Sequence, residues 1–330
     1  EIAKDADDIV FLWSAPVEGA AVEVWASANP YFSPGDPGAE LLAAGLVESS
    51  WTHEGGNDAV DRYYRVRAEG EPTTVSTTVG KLATTLQPGY TKIGLCLQSE
   101  VDTAAELFED MASPVVSAHV WDAATQQWQW AWAEAPVELP LPTGAVVAVH
   151  HEGEAPIDPG FHTMIGHVPT PSDVQVDLEP GINIVTLLPW RGDLDTAAEL
   201  LAATDHATRI GAWDAATQTT RWYPDGADFE VPDCSPVYVE VGEASSWPPL
   251  SYRQVIGPEG GTLVAYQGAI ELEVPAGALT EAVELRITPT TYPLPEGDFR
   301  AFAFEPHGIE FAVPVVLQLG YRGGLDGRGW

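Results

Sequence analysis

Tryptophan, cysteine and histidine are the residues of this chain whose spacing points to chemistry. Trp128, Trp130 and Trp132 fall at alternate positions, so a strand would bring all three indoles to one face. Exposed, such a stripe can stack on the apolar ring faces of sugars; buried, it is core. Cys96 and Cys234 are the two cysteines present. They lack the spacing of a zinc site and fit either one disulfide or two buried thiols. His150, His151, His162 and His167 lie close in sequence, but adjacent strand residues point to opposite faces, so His150 and His151 do not share a ligand set. Scattered surface or loop histidines are expected, with no metal. No serine occupies a Gly-x-Ser-x-Gly elbow, and no loop has phosphate-cradling spacing. Asp and Glu are too abundant for any pair to mark general acid–base work. The residue set predicts neither an enzyme nor a cofactor.

Charge narrows the partners. Fourteen Lys and Arg against 49 Asp and Glu give a formal net charge of −35 and a pI near 4.2. Nucleic acid is excluded because phosphate binding needs a basic footprint, and anionic membrane surfaces are disfavoured. Clustered carboxylates leave calcium open as a bound ion, although no EF-hand loop singles out a site. No apolar run approaches the ~18 residues of a spanning helix, so no membrane insertion is expected in this segment. Glu1-Ile-Ala-Lys-Asp5 is not a signal peptide, and the chain reads as starting in mid-protein.

The elements that must position these residues are duplicated. Trp121-Asp-Ala-Ala-Thr-Gln126 recurs as Trp213-Asp-Ala-Ala-Thr-Gln218, 92 residues later. Leu86-x-Pro88-Gly89 recurs as Leu178-x-Pro180-Gly181, and Asp102-Thr-Ala-Ala-Glu-Leu107 as Asp195-Thr-Ala-Ala-Glu-Leu200. Three landmarks in one order denote a repeated structural unit. In each copy an aspartate, Asp102 or Asp195, is placed to cap a short helix. The six-letter motif reads as a hairpin connection in which Trp packs, Asp bonds its own backbone and the small residues clear the bend. Trp130 aligns with Trp222, whereas Trp128 and Trp132 align with Thr220 and Pro224. The shared Trp130 reads as core, and alternation carries Trp128 and Trp132 to the same face, so core or inter-repeat packing is expected of the stripe. The alternative is a carbohydrate platform formed by Trp128 and Trp132.

The flanks have a different character. Ile9, Phe11 and Trp13, then Val22 and Val24, then Tyr64, Val66 and Ala68 alternate as half-buried strands do. Phe11-Leu-Trp13-Ser-Ala-Pro16, Val22-Glu-Val-Trp-Ala-Ser27, Asn29-Pro-Tyr-Phe-Ser-Pro34 and Tyr64-Arg-Val-Arg-Ala68 resemble a bacterial fibronectin type III domain. Arg62 stands at that family's tyrosine-corner position. Near the other end, Glu259-Gly-Gly261, Val274-Pro-Ala-Gly-Ala-Leu279 and Phe311-x-x-Pro314-Val315 resemble the ZU-type domain of zonula occludens proteins, ankyrins and netrin receptors. The His-Phe-Ser step at which some relatives cleave themselves is absent. The central repeats are similar to modules of large secreted bacterial proteins.

The expected architecture is mainly β: tandem β-sandwich-like modules, with one short helix in each of the two central repeats. The modules are expected at 1–79, 80–169, 170–249 and 250–330, the last incomplete. The resemblances imply a non-enzymatic stalk, spacer or adhesive arm of an exported or cell-surface protein. Its expected partners are other extracellular protein domains or polysaccharide, with self-association open. The alternatives are a carbohydrate-binding accessory region of a secreted enzyme and a subunit of an extracellular fibre or surface layer.

Overall fold

The computed structural model describes residues 1–14, 20–69, 74–111, 115–152, 161–169, 174–188, 194–249, 251–265, 270–294 and 297–319. Ala15 and Pro16 of the N-terminal motif, and the last eleven residues, lie outside this set. Strands account for 52% and helices for 5%, in tandem sandwich-like modules.

The chain opens with β1 (Ile2–Asp5), β2 (Asp8–Leu12), β3 (Val22–Ser27), β4 (Glu40–Leu46), β5 (Ser50–His53), β6 (Arg62–Ala68), β7 (Thr74–Val75) and β8 (Val79–Thr85). One sheet is ordered β1-β2-β5, and the facing sheet contains β8-β6-β3-β4. Alternation places Ile9 and Phe11 of β2 against Ala26, Tyr64 and Val79 between them. Lys81 is fully buried beside this core. Its ammonium reaches the Asp58 carboxylate at 2.6 Å and the Asp58 carbonyl at 2.7 Å, and Arg62 joins the same carboxylate at 2.6 Å. Burial alone would push the Asp58 carboxyl up, but the bonds from Arg62 and Lys81 hold it well below the usual carboxylate range.

The first repeat comprises β9 (Gly89–Gly94), α1 (Ala104–Asp110), β10 (Val115–Asp122), β11 (Gln127–Trp132) and β12 (Val146–His151), in the sheet order β11-β10-β12-β9. The next strand, β13 (Phe161–His167), leaves this sheet and pairs with β8. The expected first-repeat range therefore contributes β8 and β13 to the N-terminal sheet. The second repeat follows: β14 (Val176–Leu178), β15 (Gly181–Thr186), α2 (Ala197–Ala203), β16 (Ala207–Asp214), β17 (Thr219–Tyr223), β18 (Pro236–Val241) and β19 (Ser245–Trp247). Its main sheet runs β15-β18-β16-β17, the same order read from the other end. Both copies also carry the same irregularity, at Val115/Ser117 and at Ala207/Arg209.

Each helix begins one residue later than the sequence suggests. Thr103 and Thr196, not Asp102 and Asp195, are the N-caps. Each threonine has extended backbone and accepts from the glutamate amide three residues on, while Glu106 or Glu199 reaches back to the cap amide. The reciprocal box satisfies two orphan donors, which a lone aspartate one position earlier does not.

The last module contains β20 (Tyr252–Ile256), β21 (Gly261–Ala265), β22 (Ile270–Val274), β23 (Val283–Leu294), β24 (Gly297–Glu305) and β25 (Val316–Leu319). Two three-stranded sheets, β20-β23-β24 and β21-β22-β25, enclose Ile256, Ile270, Leu272, Val274 and Ile287. Residues 309–315, which hold the Phe311-x-x-Pro314-Val315 motif, are not strand. Pro314 offers no amide to a ladder, and Ala312 donates to the Ala278 carbonyl instead.

Candidate functional site at the face shared by the repeats

Strand alternation gives each repeat sheet two unlike faces. In the first, Ile93, Ala118, Ala131, Val147 and Val149 turn toward Leu107 and Met111 at α1. The opposite face carries Tyr90 and Lys92, Val146 and His150, Ser117, His119 and Trp121, and the three tryptophans Trp128, Trp130 and Trp132. This corrects the expected packing of Trp130 and Trp132, whereas Trp128 packs between the repeats. The inward position of β11 belongs to Ala131, which is fully buried, while Trp130 and Trp132 are 55% and 52% exposed and Trp128 is half-buried.

The two faces turned away from the helices meet. Val146, Ile184 and Tyr238 are buried between them, with Trp121, Trp128, Ile182, Trp213 and Trp222 packed around. The repeated motifs make this contact reciprocal. Trp121 Nε1 donates to the Ile182 carbonyl at 2.6 Å, and Trp213 Nε1 donates to the Tyr90 carbonyl at 2.9 Å. Gln126 bonds both backbone groups of Ile182 at 2.9 Å, and Gln218 bonds those of Tyr90 at 2.8 and 3.0 Å. Tyr90 and Ile182 are 92 residues apart, as are the motifs that hold them, so the joint is isologous within one chain. The adjacent Gly89 and Gly181 complete it. A Cβ on either would lie 2.7 Å from the clamping glutamine, and both have φ values (+85° and +108°) that favour glycine. Asp122 and Asp214 accept from the amides two and three residues on, fixing each turn.

Lys92 lies in this joint with no carboxylate paired to it among the described residues. Its ammonium is 4.3 Å from the Trp213 ring centre, 4.8 Å from Trp128 and 5.1 Å from Tyr238. Burial pushes its pKa down from 10.5 to about 8, while three ring faces favour the charged form. Below the folded value the protonated amine is a standing cost. As pH rises from 8 toward 10 the unfolded chain holds a proton the folded chain releases, so stability rises. The full shift corresponds to about 3 kcal/mol, and partial solvation with ring attraction reduces it to about 1–2 kcal/mol. Urea unfolding between pH 7.5 and 10 is expected to show this rise in the wild type and not in Lys92→Met. An equal rise in both would remove Lys92 from the explanation. Above pH 10 unfolded tyrosines ionise, whereas burial holds Tyr238 at about 12, and stability falls again.

Cys96 and Cys234 are joined across the repeats, with Cα atoms 5.5 Å apart. Cys234 has φ +62° where the first repeat has Gly144 at +90°. Of the four clustered histidines two are interior, which corrects the expected surface scatter. His151 is buried on the helix side of β12, where its Nδ1 has no partner among the described residues. His162 is buried 3.6 Å from Asp110, which Lys4 pairs at 2.6 Å. Burial, then Lys4, pushes His162 down to about 4. His150 stacks on Tyr90 with centroids 4.6 Å apart, and His167 is exposed beside Thr77. Among the described residues, no three His, Cys, Asp or Glu side chains converge as a metal site. Sequence reasoning missed Lys92, Gln126 and Gln218; the repetition of the glutamines was the available signal. No protein-family model matches the chain, and no curated protein is significantly similar to it.

Proposed function

We propose that this chain is a non-enzymatic, exported arm in which successive modules are joined as one stiff body. The observation that carries the reading is the joint itself: reciprocal tryptophan and glutamine bonds, closed by a disulfide between residues 138 apart. The other junctions are built in the same spirit. Strands β8 and β13 flank the first repeat yet belong to the N-terminal sheet, and Phe32 and Tyr63 share a core with Ile93 and Leu107. The ion pair Lys4–Asp110 ties β1 to α1, and Arg253 reaches Asp205 and the Ala203 carbonyl at the end of α2. Polar clusters here join modules rather than pairing a nucleophile with a base. A disulfide persists in oxidising compartments, which supports an extracellular or cell-surface setting, as do the resemblances to fibronectin type III and ZU-type modules.

Stiffness is measurable. The native cysteines are paired, so spin labels on Leu41→Cys in β4 and Thr219→Cys in β17 report one distance between the N-terminal module and the second repeat. A single narrow distribution, unchanged by moderate salt, is expected. A broad distribution would make the modules independent beads and overturn the reading.

A further inference from the structure

The geometry points to a glycan-binding platform at Trp130 and Trp132, shaped for the ring faces of a neutral polysaccharide. This goes beyond the arm reading and does not depend on stiffness. The two indoles project from one face of edge strand β11, about 6.6 Å apart along it at a rise of ~3.3 Å per residue. Both are about half exposed, although tryptophan normally hides its ring.

The second repeat shows what closing this face requires. At the equivalent place Trp222 lies flat on Gly211, so close that a Cβ there would sit 2.9 Å from its ring. Arg209 covers its other side, with the guanidinium 4.7 Å from the ring centre and held by Glu240 and by Asp225 at 3.1 Å. In the first repeat His119 replaces that glycine, Ser117 the arginine, His150 the glutamate and Trp132 the proline. With a side chain at His119, directly across from Trp130, the indole cannot lie on the sheet. With Ser117 in place of arginine, no cation of the described residues stacks on it, and it is 55% exposed. The same scaffold thus seals one tryptophan and displays the other.

Chemistry selects the occupant. The exposed parts of the two indoles amount to about 270 Å², taking ~250 Å² per tryptophan side chain. A stable protein interface needs ~800 Å² per partner, so a folded partner is poorly served, whereas sugar rings are covered. Ser117 is buried and bonds His119 Nε2 at 2.9 Å, which fixes the half-buried imidazole beside the rings as a partner for sugar hydroxyls. Among the described residues of this face the one Lys or Arg is Lys92, sunk under Trp128 and Trp213, and the chain carries −35. An anionic polymer would meet repulsion and find no counter-charge.

Affinity electrophoresis of the whole chain tests this, using native gels containing hydroxyethylcellulose, galactomannan or mixed-linkage β-glucan, with polygalacturonate as the anionic comparison. At least one neutral polymer is expected to retard the chain. Trp130→Ala and Trp132→Ala should each weaken retention at least tenfold, Trp130→Tyr should keep most of it, and the melting temperature should hold within about 2 °C. If an alanine variant unfolds, Ser117→Arg with His119→Gly and His150→Glu decides, since it restores the glycine, the arginine and the arginine's carboxylate and should lose retention while folded. Absence of retardation by all three neutral polymers, retention by polygalacturonate alone, or retention unchanged in the double alanine or rebuilt variant would overturn the proposal.

Discussion

Opening the Cys96–Cys234 bond is expected to lower the unfolding free energy by about 3–5 kcal/mol. The bond closes a loop between residues 138 apart, and in the chain-entropy account a loop near one hundred residues already contributes ~4.7 kcal/mol. Strain can reduce this, hence the lower bound. For a cooperative unit of some 150–250 residues each kcal/mol moves the melting temperature by roughly 2–4 °C, so a fall on the order of 10 °C is expected. The clean comparison is Cys96→Ala with Cys234→Gly. Glycine is what the first repeat carries at this positive-φ position, so that substitution removes the cross-link without adding backbone strain. A change under about 2 °C would mean that the packed faces hold the repeats without the bond.

Gly89→Ala is expected to cost about 2–4 kcal/mol. Holding an L-residue in the left-handed region costs ~1–2 kcal/mol, and the new methyl would displace the Gln218 amide from the two Tyr90 backbone groups, worth ~1 kcal/mol each. Gly181→Ala should behave alike through Gln126. Gly38 supplies the control: its φ is +88° with open space around it, so Gly38→Ala should show the conformational term alone. Urea unfolding monitored by tryptophan fluorescence reads all three. Equal losses at Gly89 and Gly38 would mean the glutamine clamp contributes nothing.

Much of this arrangement is legible in the sequence because duplication and alternation are both periodic. The 92-residue offset marks the repeat, and each six-letter motif sits at the strand turn where its aspartate belongs. Periodicity, however, says which residues share a face and not which face meets the helix. Trp128, Trp130 and Trp132 do lie together, but Ala131 takes the inward side. The recurrence of Trp130 as Trp222 does not equate their settings: Trp222 packs where the repeats meet, while Trp130 is 55% exposed. Reading the motif as a local turn likewise gave no role to its last letter, although Gln126 and Gln218 bond backbone 56 and 128 residues away. Lys81 and Lys92 were invisible because lysine is rarely buried unless paired. Asp58 pairs the first, and the rings of Trp128, Trp213 and Tyr238 face the second. Whether Cys96 and Cys234 meet depends on how the repeats face each other, which spacing does not encode.

The central claim is that two repeats of one chain hold each other through matching motifs, and a double-mutant cycle between Gly89→Ala and Gln218→Ala tests it most directly. These residues are 129 positions apart and belong to different repeats. With Gln218 trimmed, the methyl on residue 89 has nothing to displace, so the double variant should be more stable than the sum of the single losses implies, by about 1 kcal/mol or more. Additivity within ~0.5 kcal/mol would mean that Gly89 and Gln218 do not touch in solution, and the reciprocal joint would fall with them.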